Sequence, residues 1–298
     1  MTLRVTNGMM TTDLLRIINQ NTSKMNDTQL QLSTGRKINK ASDDPVGITY
    51  ALRYRSELSM NDQYQKNIDA AQSTLSHTDT VLGQMNDVIQ RAKEISVQGL
   101  NGTNNTDALT AISQELGDLY SQSVTIANDK FNGKYTFNGQ MTDQQPYTEQ
   151  NAQNQSTDTG AIQYQFSSTV TIPVNVNGND VFGKPTDSDN LFKALKGLQQ
   201  DFASGNTSAA QTDLNALNSR YDKFLQARTE VGARSNRIDL MNQRMQDLNL
   251  NLQDLSSKVE DVDVAQATLD LKNQQNVYQA SLSVGAKIIQ PSLLDYLK

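Results

Sequence analysis

The chain has 298 residues and a formal charge of -6; 36% of its residues are hydrophobic and 6% aromatic, with no Trp and no Cys. Mean hydropathy is -0.60 and the pI is about 4.9. That is too little apolar material for two thick globular cores, yet the charged fraction of 19% is too low for a disordered acid. Much of the polarity is Asn, Gln, Ser and Thr, which suits an elongated helical protein with a thin core and wide neutral surfaces. An acidic pI without a basic cluster argues against nucleic acid as a partner. Without Cys, disulfides and thiolate metal sites are excluded. The first ten residues hold no apolar core of secretory-signal length, and no run is long enough to span a membrane. Taken alone, these facts suggest a cytoplasmic protein.

The first predicted helix carries Leu14, Ile18, Asn21, Met25, Thr28 and Leu32 in four-three alternation, with polar Asn21 and Thr28 on the seam. Such a helix is marginal alone, so it is expected to be loosely ordered in a free monomer. Gly35 ends it. A connector runs to Pro45, and Ser42, Asp43 or Asp44 is placed to cap the next helix, with Pro45 in its first turn. That second helix spans about 46–98, with a seam through Ile68, Leu75, Leu82, Ile89 and Ile95. A third, capped near Thr106, carries Leu109, Ile112, Leu116 and Leu119.

At Phe131 the period changes. Residues 131–139 hold two Asn-Gly pairs with Tyr135 and Phe137 on one face, the signature of a tight hairpin. Ile162, Tyr164, Phe166, Val170, Ile172, Val174 and Val176 all fall on even positions, a strand-like period of two. Pro173 demotes part of that run to an edge or a bulge. Asn177-Gly178 is a second hairpin candidate. Helical spacing returns at Leu191, Leu195, Leu198 and Phe202.

The longest pattern runs from Ala210 to Val262 through Leu214, Leu217, Tyr221, Phe224, Val231, Ile238, Met245, Leu252 and Val259. Met241, Leu248, Leu255 and Val262 widen it. Thr207 or Ser208 is the expected cap, and the rod would be about 80 Å long, too long for a compact domain without partner helices of similar length. After Val262 the phase slips. The final helix has its seam at Val264, Thr268, Leu271, Gln275, Tyr278, Leu282, Gly285 and Ile289, and Pro291 ends it.

The order is palindromic: terminal helix, long helices, β segment, long helix, terminal helix. The expected fold is mainly α, an elongated antiparallel long-helix bundle formed by both chain ends, with a small β insertion at the tip. The expected bodies are 1–40 with 264–298, 41–139 with 190–263, and the insert 140–189. Leu75, Leu82, Leu217, Phe224 and Ile238 are assigned to the stalk core. Leu14, Ile18, Asn21, Met25 and Leu32 are assigned to a terminal interface with Leu271, Tyr278, Leu282 and Ile289.

Chemistry is thin. His77, the sole histidine, lies beside the apolar line and reads as an exposed helix residue. Residues 178–185 nearly match a phosphate loop, but Pro185 replaces the magnesium-binding hydroxyl and no βαβ unit follows. Asp43, Asp44, Glu260, Asp261 and Asp263 read as caps and linker carboxylates rather than metal ligands. Nothing forms a catalytic constellation, and no metal or cofactor is expected.

Residues 32–47, Leu-Ser-Thr-Gly-Arg-Lys-Ile-Asn-Lys-Ala-Ser-Asp-Asp-Pro-Val-Gly, resemble the connector after the first helix in bacterial flagellins and their junction relatives. The Ser-Asp-Asp-Pro-Val-Gly form with Gly35, Asp43, Asp44 and Pro45 looks most like the family's hook–filament junction members. So do Ala51–Leu58, Tyr64–Asp69, Val231–Arg234, Val284–Lys287 and the ending Gln290–Leu297. The resemblance covers about 1–139 and 207–298. It implies a non-enzymatic flagellar subunit, exported without a cleaved signal through the flagellum's own type III apparatus, which replaces the cytoplasmic reading. The implied place is a ring of copies between the first hook-associated protein and flagellin, with an export chaperone touching the C-terminal helix, and neither a membrane nor nucleic acid as partner. The alternatives are a filament flagellin and, from another class, a helical cytoplasmic signalling rod.

Overall fold

The computed structural model describes residues 7–102 and 104–289, without the side chains of Asn7, Ile288 and Ile289. Most of it is helix: α1 (Asn7–Thr34), α2 (Pro45–Leu100), α3 (Thr106–Ala127), α4 (Gly178–Phe182), α5 (Leu191–Ser204), α6 (Thr207–Glu260) and α7 (Val264–Ile289). The strands are short: β1 (Lys130–Phe131), β2 (Lys134–Tyr135), β3 (Gln163–Gln165) and β4 (Thr171–Pro173). This is the mainly-α, long-helix architecture expected from the periodicity. Pro291 and the ending 290–297 lie outside the described residues.

The chain divides into two compact units, Met1–Met60 with Leu248–Lys298, and Asn61–Asp247. The β-rich stretch 140–189 is therefore part of the second unit rather than a body of its own. The reason is aromatic packing. Tyr147 lies 4.8 Å from Phe192 of α5, and Phe182 lies 5.2 Å from Phe137 and 5.5 Å from Phe192, ring centre to ring centre. These rings are buried, and aromatic side chains contribute a large buried area in a chain short of apolar residues.

Within the second unit, α2 and α6 run antiparallel, and polar rungs record their register. The Asn61 amide donates to the Met245 carbonyl at 3.0 Å, Gln72 donates to Asp239 at 2.8 Å, and Arg228 donates to Asp79 at 3.0 Å. Between these rungs lie Ile68, Leu75, Val231 and Ile238, and beyond the last of them Leu82, Ile89, Leu217 and Phe224, all buried. From Phe224 onward the fully buried apolar positions of α6 recur every seven residues, and between them half-buried Ala227 and Met241 alternate with half-buried polar Arg228, Arg234, Ser235 and Asn242. The core there is thin.

Local signals explain most element ends. Asn105 and Asn190 accept from the backbone N–H groups of Ala108 and Lys193, capping α3 and α5. Gly205, at φ 72°, closes α5 in the left-handed conformation. Two expectations shift. The cap of α6 is Asn206, whose Oδ1 accepts from Ala209 N at 3.2 Å, one residue before the expected Thr207. Asn177-Gly178 forms no hairpin; Asn177 accepts from Asn179 N at 2.8 Å and starts the single-turn helix α4.

The hairpin at Phe131 turns through Asn132 and Gly133, at φ 50° and 78°, the left-handed pair of a type I′ turn. The even-numbered run folds back on itself, with β3 antiparallel to β4 and Tyr164 opposite Ile172. Directly opposed residues share a face, so Phe166, Ile172, Val174 and Val176 all point into the core. Pro173 pairs with Gln163 in this two-stranded sheet, where every strand is an edge.

Candidate assembly surface

The first unit is organised by the break between α6 and α7. The Glu260 carboxylate is buried, with its side chain 5% exposed. Arg55 of α2 holds it with two guanidinium nitrogens, Nε donating to Oε1 at 2.8 Å and Nη2 to Oε2. Arg36 stands 3.8 Å away. The Glu260 carbonyl accepts from Lys37 N at 2.6 Å, and the Gly35 carbonyl accepts from Val262 N at 3.1 Å. The connector after α1 is thus sewn to the α6–α7 break along its backbone.

Gly35 adopts φ 70° at the turn, where a side chain would be strained. Asp44 caps α2, its Oδ1 accepting from Val46 N at 3.1 Å and Gly47 N at 2.9 Å, with Pro45 in the first turn. Asp43 closes the connector by accepting from Asn39 N and Lys40 N. The N–H groups of Lys40 and Asn39 hold its carboxyl below the ordinary value. Asp263 caps α7, accepting from Ala265 N at 2.9 Å. The carboxylates weighed as cation ligands are therefore occupied by arginine, backbone N–H groups and, for Asp261, the Ser257 hydroxyl. Among the described residues no cluster of metal-ligating side chains exists.

Helices α1 and α7 pack against each other. Leu14 and Thr28 are buried, and Ile18, Asn21, Met25 and Leu32 are half-buried on the same face. On α7 the covered line runs through Ala267, Leu271, Gln274, Tyr278, Ser281 and Gly285. That line departs from the expected one: Thr268 and Gln275 are exposed, and Leu282 is 46% exposed. Small Ser281 faces α1 in place of Leu282, and next to it Gly285, which the expected line already held, admits a close approach. Gln274 Nε2 donates to Thr28 Oγ1 at 3.1 Å. The side chain of Ile289 lies outside the described residues.

The outer faces of these helices are open. Among the described residues, all of the large apolar side chains left exposed belong to the first unit except Val97, Met141, Leu225 and Leu240. On α1 they include Met10, Ile17 and Leu30, and on α7 Leu269, Val277 and Val284. Leu248 and Leu255, expected to widen the α6 stripe, are exposed as well. Scattered exposed apolar residues are ordinary, but a concentration in one small unit marks an interaction surface.

The second unit holds the remaining titratable clusters. Leu75, Leu82, Leu217, Phe224 and Ile238 are all in its core. His77 is not free: Nε2 lies 2.5 Å from Asp129 Oδ2, and its ring stacks on Phe131 at 4.8 Å. Arg220, 2% exposed, donates to the Asp189 carbonyl at 2.9 Å and to Asp189 Oδ1 at 2.5 Å. Burial opposes the Asp189 charge, but Lys223, Arg220 and Ser219 together hold its carboxyl below the ordinary value. Asp213 is pushed up to about 6, first by burial and then by the neighbouring Asp201. A cavity of 540 Å³ is lined by Ser73, Phe131, Lys134, Tyr135, Tyr164 and others, without a nucleophile–base pair. The near-phosphate-loop forms α4 and a turn.

Sequence reasoning did not find Arg55, Arg220 or Gln274. Only the presence of charged or amide residues at or beside seam positions hinted at them.

Residues 5–142 match the family described as the bacterial flagellin N-terminal helical region, and residues 214–297 match the bacterial flagellin C-terminal helical region. The chain is 25% identical over 273 residues to flagellar hook-associated protein 3 of Escherichia coli (strain K12), covering 84% of this chain and 86% of that one. It is 32% identical over 117 residues to phase 1 flagellin of Salmonella naestved, but this covers 39% of the chain and only 23% of the flagellin. Among solved structures, a putative flagellar hook-associated protein from Vibrio parahaemolyticus superposes with a TM-score of 0.67 at 22% identity, over 74% of this chain and 100% of that one. FlgL of Bacillus cereus superposes at 0.60 with 22% identity, over 69% and 99%.

Proposed function

We infer that this chain, which belongs to the bacterial flagellin family, is a structural subunit of the flagellar hook–filament junction. A full-length relationship to a hook-associated protein, against a partial one to flagellins, supports the junction over the filament bulk. The single observation that carries an assembly role is the first unit itself. Its two terminal helices bury a thin, partly polar seam against each other and leave apolar faces open. A pair of this kind gains much of its stability when neighbours cover those faces.

The finer reading is a ring of copies seated between the first hook-associated protein and flagellin, reached through the flagellar export route with a chaperone on the C-terminal helix. No catalytic role is assigned: the titratable groups described above are engaged in caps, ion pairs and packing. Deleting the coding gene tests the reading. Cells should still build hooks and should shed flagellin monomers into the medium. Filaments of normal length on the mutant hooks would overturn it, and loss of all secreted flagellin would favour the filament alternative. Detection of the chain only in the cytoplasm would favour the signalling rod.

A further inference from the structure

The sequence contains several Asn-Gly pairs, and the structure treats them unequally. In such a pair the backbone nitrogen of Gly can attack the Asn side-chain carbonyl carbon, because no Cβ on the following residue obstructs the approach. The C–N bond to the side-chain amide breaks and ammonia leaves, carrying the proton from the Gly nitrogen. The five-membered succinimide that forms is opened by one water molecule at either carbonyl, giving aspartate or isoaspartate. The net change is amide plus water to carboxylic acid plus ammonia, with no oxidant or catalyst. It requires a free side-chain amide, a free Gly N–H and backbone room to bring the two together.

We propose that Asn101–Gly102, in the turn after α2, is the site at which the folded chain modifies itself in this way. Both residues are exposed, and among the described residues no hydrogen bond involves the Asn101 side chain or the Gly102 N–H. The turn is held from outside by Asn104, whose amide donates to the carbonyls of Gln98, Gly99 and Asn101. Those bonds leave the Asn101 side chain untouched.

The other pairs are shielded. Asn138 is buried, donates to the carbonyls of Met141 and Gln144, and accepts from Asp158 N. Asn177 accepts from Thr157 Oγ1 and Asn179 N and donates to the Asp158 carbonyl, while Gly178 N donates to Phe137 O. Asn132 is exposed, but its φ of 50° is fixed by a two-residue turn between paired Phe131 and Lys134. Reaching the attack geometry there means undoing the hairpin. The side chain of Asn7 lies outside the described residues, so Asn7–Gly8 is not ranked.

The new carboxylate would appear beside the C-terminal carbonyls of α2, where the helix dipole disfavours negative charge. Modification therefore loosens the turn between α2 and α3.

The test is to age the intact folded chain in mildly alkaline buffer, map its peptides by mass spectrometry, and label isoaspartate with isoaspartyl methyltransferase. The Asn101 peptide should convert faster than the Asn132, Asn138 and Asn177 peptides by roughly tenfold or more, a margin equivalent to ~1.4 kcal/mol of local opening. In denaturant the four rates should converge. Asn101→Gln should keep the fold, checked by circular dichroism, and abolish the early label. Equal conversion of Asn138 or Asn177 in the folded chain would overturn the proposal. So would Asn132 leading, or an early label undiminished in the Asn101→Gln variant.

Discussion

Leu14 of α1 occupies the space that a side chain at Gly285 of α7 would need: a Cβ placed on Gly285 would stand 2.8 Å from Leu14 Cδ2. Leu14 is the most buried apolar residue of α1, at 8% exposure. Further along, Thr28 and Gln274 form the hydrogen bond noted above. As α1 advances from 14 to 28, α7 retreats from 285 to 274. The two helices are antiparallel, and one apolar notch and one polar rung set their register.

Gly285→Ala should force the end of Leu14 to shift and loosen the α1–α7 pair by about 1 kcal/mol, the lower end of overpacking costs, because the leucine tip can move and alanine is the better helix former. Hydrogen exchange of α1 in the isolated chain reads this directly. Leu14→Ala added to Gly285→Ala should relieve the clash and recover part of the protection. Unchanged exchange in the single variant would show that the notch does not set the register.

Polar seam residues need to be separated by partner. Thr28 bonds back to the Lys24 carbonyl at 3.0 Å as well as accepting from Gln274. Thr28→Leu leaves the Gln274 amide without that acceptor and should destabilise the pair by about 1 kcal/mol. Asn21→Leu removes a half-buried amide with no such rung, so it should stabilise α1 and, on the assembly reading, slow export. Secretion assays on the two single variants distinguish these outcomes.

Arg55→Ala should weaken the join between the connector and the α6–α7 break. It leaves the Glu260 carboxylate buried without its main cation. Full burial of both partners would make that cost 3 to 5 kcal/mol, but the Arg55 side chain is 39% exposed, so about 1 to 3 is expected. Arg55→Ala with Glu260→Gln should recover part of the loss. Thermal unfolding of the four members of the cycle, with limited proteolysis at 35–44, measures it.

The Asp201–Asp213 pair sets a pH dependence. Gly197 makes room for it, since a Cβ there would fall 1.8 Å from Asp213 Oδ2, and Lys193 is the nearby cation. The Asp213 pKa is raised on folding to about 6, so its protonated form is favoured in the folded chain. That contribution is fully present below the unfolded value of about 3.9 and is lost as pH rises through about 6. The full rise corresponds to about 3 kcal/mol, which water reaching this half-open carboxyl reduces to about 1 to 2. Compared with the wild type, Asp213→Asn should gain that amount of relative stability between about pH 4 and pH 7. Denaturant melts of both proteins across that range would show it, and parallel curves would refute it.

The helices, their order and several of their ends were legible in the residues alone, because the signals are local. A four-three alternation, an Asp before Pro45 or a Gly after Ser204 acts within one or two helical turns. The Asn132-Gly133 hairpin was legible for the same reason, since both residues accept the left-handed backbone that a two-residue turn needs. The connector and chain-end motifs pointed to the flagellin family, and the family matches agree.

What only the tertiary structure decided is which of two adjacent phases each helix buries and which distant partner meets each charge. On α7, Leu282 and Gln275 offered as good a period as Ser281 and Gln274. Gln274 and Ser281 are the ones that face α1, while Gly285 belongs to both lines and leaves the space that Leu14 fills. Arg55 and Glu260 are separated by 205 residues, and nothing near either one marks the other. A carboxylate this deeply covered is tolerable only where a cation reaches it, and that meeting is decided by how α2, the connector and the end of α6 come together.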